Sequence, residues 1–338
     1  MGIARPAAVD LCCGAGGFSY GFRGAGWRIL LGADLCKHSL ATYRRNLHTG
    51  ILAIDLLSKE AAGTIGDLIG ASELRAVIAG PPCQGFSRAG RRKLIDPRND
   101  VILAATRVAV SLEPELVVLE NVRNIMGQRY EEFLTRATCI LRRNGYSVSY
   151  QLLNALHFGV PQDRERLVVI ASKHRGQHAI ADALDKLANI RQDRKTVSEA
   201  LNGIPLDPGE EAIDSDFTNH IPMRHSQKVR DKIARILPGE GPLSYRKLHP
   251  EQHAATLICG HRALPCHYAT HRTITVREAA RLQGFPDSFV FEGPVGSQML
   301  QVANAVPPPL AFAIAQTARE LLHRGERAVN YMGLPRPV

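Results

Sequence analysis

Residues 7–22 read AAVDLCCGAGGFSYGF. A short apolar run is followed by Gly14, Gly16 and Gly17, and then by helix-like sequence to about Gly24. The pattern predicts a strand, a tight glycine turn and a helix. Glycine lets the backbone approach a ligand closely, and the N-terminus of the following helix is electropositive. The spacing is not the GxGxxG dinucleotide fingerprint, so the turn alone does not say which ligand it holds.

The same texture continues outward from this turn. Apolar runs at 29–33, 51–54, 76–79, 116–119, 148–153 and 167–171 predict further strands, and 39–47, 100–112 and 131–143 have helical spacing. Strands alternating with helices predict an α/β fold, a mainly parallel sheet covered on both faces. In such sheets ligands gather at the carboxyl ends of the strands. Asp34, Asp55, Cys83 and Glu120 all follow predicted strands, so one edge should carry them together. Beyond Ser172, one more helix is expected at 177–191. Residues 206–269 are irregular and rich in Pro, Gly and His, which predicts a second, smaller domain. Helices follow at 275–283 and 309–324, the latter with Leu310, Ile314, Ala318 and Leu321 on one face. The expected division is 1–190 with 300–330 in the larger domain and 191–299 in the smaller.

Length and composition agree. At about 150 residues per domain, 338 residues suggest two. Apolar residues at 45% and charged residues at 22% are globular values and exclude wholesale disorder. Lys and Arg number 42 against 32 Asp and Glu, a net charge of +10 that favours a polyanionic partner. The seven cysteines form no Cys-x-x-Cys pair, so neither a zinc site nor a disulfide framework is expected, and the compartment should be reducing. No uncharged apolar run approaches 18 residues, so no membrane span is expected.

The strand ends suggest chemistry. A carboxylate at Asp34 can accept both hydroxyls of a ribose, and Asp55 can accept an adenine amino group. Cys83 lies in GPPCQGFS, on a turn stiffened by two prolines. A free thiol near pKa 8.5 is only a few per cent thiolate at neutral pH. Arg88, Arg91, Arg92, Lys93 and Arg98 supply nearby positive charge. Glu120 could hold a proton for a ring nitrogen if burial raises its pKa. Arg164 and Arg166 stand two apart, and on one strand they would share a face suited to a carbonyl oxygen or phosphate.

Taken together, these motifs resemble the cytosine-C5 DNA methyltransferases. The resemblance rests on DLCCGAGGF, Asp34, Asp55, GPPCQGFS, the DPRN of 96–99, ENV at 120–122, VPQDRER at 160–166, TVREAARLQGFPD at 275–287 and QVANAVPP at 301–308. It spans about 7–320 and is weak between roughly 172 and 250. It implies a Rossmann-like S-adenosyl-L-methionine-dependent sheet with a smaller target-recognition domain. It also implies double-stranded DNA as partner, action as a monomer, a cognate restriction endonuclease, and a cytoplasmic, nucleoid-associated location. Cys83 matches the nucleophile that adds to C6 of a flipped cytosine. Glu120 matches the acid on N3 and the exocyclic amine, and Arg166 the arginine on O2, with Arg164 in support. Gly14, Gly16, Phe18, Asp34, Asp55, Gly80, Pro81 and Asn304 match cofactor-site positions. Gln84, Ser87, Arg88 and Arg98 match the segment that closes over DNA.

Two departures stand out. Cys12-Cys13 replaces the usual Phe-Ala, and Ala303 replaces a glycine before Asn304, which would be strained if that position needs positive φ. The recognition stretch is short, about 55 residues between 206 and 262. Other readings remain. Transfer-RNA-modifying relatives carry a Cys-Phe-Thr tripeptide in their recognition region, and none occurs here. Non-catalytic relatives lose the nucleophile or the glutamate, and this chain keeps both. A cysteine hydrolase would need a histidine beside Cys83, for which His157 is the candidate.

Overall fold

The computed structural model describes residues 5–82, 100–206, 217–258 and 264–322. Its strands are β1 (Ala7–Leu11), β2 (Arg28–Asp34), β3 (Gly50–Ala53), β4 (Leu74–Ala79), β5 (Leu116–Val122), β6 (Ser147–Asn154), β7 (Gln162–Asp163), β8 (Glu165–Ser172) and β9 (Ala254–Ala255). Its helices are α1 (Gly17–Gly24), α2 (Lys37–Leu47), α3 (Ala61–Ile69), α4 (Val101–Ser111), α5 (Glu131–Arg143), α6 (Gln177–Ala188), α7 (Val197–Leu201), α8 (Gln227–Ala234), α9 (Val276–Leu282), α10 (Val295–Asn304) and α11 (Pro308–Leu322).

Seven strands form one sheet in the order β3-β2-β1-β4-β5-β8-β6, so the fold is α/β as expected. The first five run parallel, but β8 is antiparallel to both of its neighbours. Val122 at the end of β5 therefore faces Arg166 at the start of β8. That reversal brings the beginning of β8 to the edge where the parallel strands end.

Both faces of the sheet are covered because the central strands are apolar on both sides. Val9, Val77 and Val117 pack with Ile65, Leu103 and Leu134 of α3, α4 and α5. Ala8, Ile78 and Val118 pack with Phe22, Leu184 and Leu310 of α1, α6 and α11. The α1–α11 approach is close: a Cβ on Gly21 would collide with Ala311. The Trp27 indole N–H donates to Ala315 O at 3.1 Å across the same contact.

A third apolar cluster is built almost wholly from residues 197–305, including Leu257, Phe285, Phe289, Phe291 and Met299. Ala15, from the first glycine turn, joins it. Around it, buried charged side chains are paired or hydrogen-bonded to backbone carbonyls. Buried Glu278 accepts from the Arg272 guanidinium at 2.8 and 2.7 Å and from Thr275 N at 2.7 Å. Arg277, 0% exposed, donates to Thr218 O, Pro286 O and Phe289 O. The strand β9 of this part pairs with β7 in parallel.

The sequence pattern does not foresee α3, α7, α8 or α10. The stretch expected to be irregular carries α8, whose only buried residue is Ile233. With so little apolar periodicity, a solvent-facing helix leaves no signal.

Candidate active site

Two glycines shape the turn after β1: Gly14 has φ +53° and Gly16 φ +96°. Both lie in the left-handed region that glycine tolerates. The Gly14 N–H donates to Asp34 Oδ2 at 2.9 Å, and the Cys36 N–H donates to Asp34 Oδ1 at 2.8 Å. Each carboxylate oxygen thus holds one backbone donor and keeps a lone pair for a hydroxyl. Asp55 is exposed, its Oδ1 accepting from Leu57 N at 2.9 Å. Leu35 and Leu57 stand beside these acids at 69% and 46% exposure. Acceptors for a ribose, an open glycine turn and exposed apolar side chains for a base edge fit the adenosine part of S-adenosylmethionine. An exposed leucine after a strand-ending acid is a signal that the sequence carries and the motif pattern does not use.

Phe18, expected among the cofactor contacts, lies in the first turn of α1. It is 3% exposed, and its ring meets Phe22 edge-on at 5.3 Å in the apolar layer beneath the sheet. Its side chain is core here. The residue the turn does present is Cys12, half-buried with φ +55°. Burial, and after it Asp34 and Asp10, push the Cys12 thiol well above its ordinary range, and Cys13 is raised likewise. Neither is a thiolate at neutral pH.

Asp10 has no place in the sequence-based site. It is 0% exposed, accepts from Ser19 Oγ at 2.6 Å, and Ser19 Oγ lies 2.6 Å from the Tyr43 hydroxyl. Burial, reinforced by Asp34, pushes its carboxyl up to about 8. An acid inside the apolar run AAVDL was the available signal.

Glu120 and Arg166, two of the expected catalytic residues, lie side by side at the sheet edge. Arg166 Nε lies 2.8 Å from Glu120 Oε1, with the two side chains only 10% and 9% exposed. Burial raises the glutamate pKa, while Arg166 and then Arg164 hold it down. Burial thus favours the protonated carboxyl and the two arginines favour the carboxylate. Gly80 packs beneath it: a Cβ there would lie 3.7 Å from Glu120 Oε2. Buried Pro81 is tied to the same edge, its carbonyl accepting from Asn121 Nδ2 at 3.3 Å. Cys83, Gln84, Ser87, Arg88 and Arg98 lie outside the described residues.

The two arginines do not share a strand face. Arg164 sits between β7 and β8, 1% exposed, and its Nη2 donates to Ala303 O at 2.8 Å and Ala305 O at 3.1 Å. It acts on Glu120 through its charge while clamping the backbone on either side of Asn304. Asn304 itself is exposed at the end of α10. The following residues return to the first turn, where a Cβ on Gly17 would strike Val306 O. Ala303 lies within α10 and has no positive φ, so the anticipated strain is absent.

Comparison with known proteins places this geometry. The model of the C-5 cytosine-specific DNA methylases matches residues 7–320. The Type II methyltransferase M1.HphI of Haemophilus parahaemolyticus is 34% identical, covering 93% of this chain and 86% of that protein. M.XorII of Xanthomonas oryzae pv. oryzae is 29% identical over 98% of this chain and 89% of its own length. Among solved structures, a DNA modification methyltransferase encoded within a prophage (E. coli) aligns with TM-score 0.78 and 25% identity over 94% of this chain and 99% of that one. The S. pombe Dnmt2 methyltransferase shares the fold at TM-score 0.67 and 20% identity, over 94% and 99% of the two chains. With the family model matched over residues 7–320 and a 34% identical relative covering most of both chains, the chain belongs to the C-5 cytosine-specific DNA methylases.

Proposed function

We propose that this chain transfers a methyl group to C5 of a cytosine within a specific double-stranded DNA sequence, as a Type II modification enzyme. The observation that carries the reading is the buried Glu120–Arg166 pair at the carboxyl edge of the sheet, next to the strap that leads into Cys83. S-adenosylmethionine, when bound, supplies the methyl group. Gly14, Gly16, Phe18, Asp34, Asp55, Gly80, Pro81 and Asn304 are the residues that would hold it.

The chain's own groups do the rest. The target base must leave the helix stack, since C6 is otherwise covered. The Cys83 thiolate adds to C6, forming a C6–S bond and pushing electrons toward C5, which then takes the methyl group. Glu120 donates a hydrogen bond to N3, stabilising negative charge that develops in the ring. Arg166 holds O2, and Arg164 keeps Glu120 and the Asn304 backbone in place. Solvent water takes the C5 proton; the electrons of that C–H bond re-form the C5–C6 double bond and expel the sulfur from C6, which restores the thiolate.

Residues 191–299 are read as the target-recognition domain. Arg224, Lys228, Arg230, Lys232 and Arg246 are its candidate phosphate contacts. Gln84, Ser87, Arg88 and Arg98 close over the DNA. No helix among the described residues is long and apolar enough to cross a membrane. A monomer acting on cytoplasmic DNA, with a cognate endonuclease as partner, completes the reading.

Bisulfite sequencing of DNA from cells expressing the chain tests it. One cytosine context should be methylated, and Cys83→Ala should abolish the mark while DNA binding survives. Duplexes carrying 5-fluorocytosine at that position should be trapped covalently, because fluorine cannot leave as a proton does. Methylation by the Cys83→Ala protein would overturn the mechanism.

A further inference from the structure

Four chain segments meet at two buried glutamines that the proposed mechanism leaves without a role. Gln162, in β7, and Gln283, which caps the end of α9, are both 0% exposed. Gln162 Nε2 donates to Gln283 Oε1 at 2.6 Å and to Leu282 O at 3.1 Å. Gln162 Oε1 accepts from Leu257 N at 3.1 Å. Gln283 Nε2 donates to Ala305 O at 2.7 Å, the same carbonyl that accepts from Arg164. A continuous chain of hydrogen bonds thus runs from Leu257, in the smaller part of the molecule, to Arg164 beside Glu120.

The pairing it supports is short. Between β7 and β9 only Gln162 pairs with Ala254 and Asp163 with Ala255. Two flanking bonds help: Ala254 N donates to Pro161 O at 2.9 Å, and Thr256 Oγ1 donates to Asp163 O at 2.6 Å. A slip of one residue turns every side chain of a strand to the opposite face. So short a ladder is weakly protected against such a slip. The amides supply what the ladder lacks. Each presents a donor and an acceptor at fixed ends, and only one register satisfies both.

We infer that Gln162 and Gln283 are positioning residues that fix segment 254–257 against the Arg164–Glu120 edge, and so set how strictly the enzyme discriminates its target. This rests on residues 191–299 reading DNA sequence, as proposed above.

The test uses the full chain with Gln162→Met, Gln283→Met and the double substitution, each preserving side-chain length. Plasmid DNA is methylated by each protein to the same total extent and bisulfite-sequenced, giving the ratio of target to off-target methylation. The ratio should fall by about tenfold or more in either single variant, on the scale of one mismatched base pair. The double variant should fall short of the product of the two single effects, because both disrupt one shared bond. Calorimetric affinity for S-adenosylmethionine should stay within about twofold. Thr256→Val covers the case in which the buried substitutions prevent folding. It removes an exposed bond in the same register and should lower the ratio in the same direction.

An unchanged ratio with only a lower melting temperature would make the glutamines ordinary core polar groups and overturn the inference. Multiplicative effects in the double variant, or loss of cofactor affinity in parallel, would also overturn it. A wild-type protein that methylates nothing would overturn the proposed function as well, which separates the two failures.

Discussion

Replacing Asp10 with asparagine should stabilise this protein at neutral pH. The carboxyl moves from an ordinary 3.8 to about 8 in the fold. Between those values the folded state holds a proton that the unfolded chain has released. Stability therefore falls as pH rises through the window, by about 1.4 kcal/mol per pH unit for one proton. By pH 7 the accumulated loss is about 4 kcal/mol. An asparagine side chain cannot ionise, and its oxygen can still accept from Ser19. Its amide nitrogen would take the place of Oδ1, which has no protein partner among the described residues. A buried donor left unpaired costs about 1–3 kcal/mol. The net expectation for Asp10→Asn is a gain of about 1–3 kcal/mol at pH 7 and near equality at pH 5. Urea denaturation at pH 5, 6, 7 and 8 measures it. Parallel pH profiles for the two proteins would show that Asp10 is ionised in the fold and would refute the reasoning.

Arg166→Met removes the cation nearest Glu120, so the glutamate pKa should rise further, methylation should be lost, and stability at pH 8 should drop relative to pH 5.5. Breaking a buried pair costs up to about 3–5 kcal/mol, which proton uptake by Glu120 will limit at the lower pH; denaturation curves at the two pH values read the difference. Asp34→Ala should weaken S-adenosylmethionine binding by about tenfold or more in calorimetry; unchanged affinity would reduce Asp34 to a brace for Gly14 and Cys36. Ala303→Gly should lower thermal stability by about 1 kcal/mol, because the residue is helical, and a gain instead would mean that the position favours the left-handed region.

The sheet was legible because its strands are apolar on both faces and end in polar residues. The positions of Asp34 and Glu120 at one edge follow from that pattern alone. The antiparallel run of β8 was not legible, since strand direction leaves no mark in composition. That reversal is why Arg166 reaches Glu120 through strand pairing while Arg164 turns toward Ala303 and Ala305. The motif gives the place of Phe18 along the chain but not the side of α1 that its ring takes. The ring lies on the face of α1 that meets the core. Asp10, Gln162 and Gln283 escaped notice for a shared reason. Asp10 stands in an apolar run and the two glutamines stand inside longer motifs, and only packing shows that the partners of each are buried with it.

The contact between α1 and α11 has a consequence for the order in which the molecule is made. Trp27 and Ala315, joined by one hydrogen bond, are 288 residues apart. At a synthesis rate of about 5–20 residues per second, α1 leaves the ribosome at least about 14 seconds before its partner exists. Throughout that interval Phe22 and Trp27 have no α11 to cover them, and Gly17 has no Val306 against it. The first glycine turn is thus translated well before α11 and completed only once α11 has formed. A nascent chain should consequently be a client for chaperones along this one face, and competence to bind cofactor should arrive with α11, after residues 191–299 have already emerged.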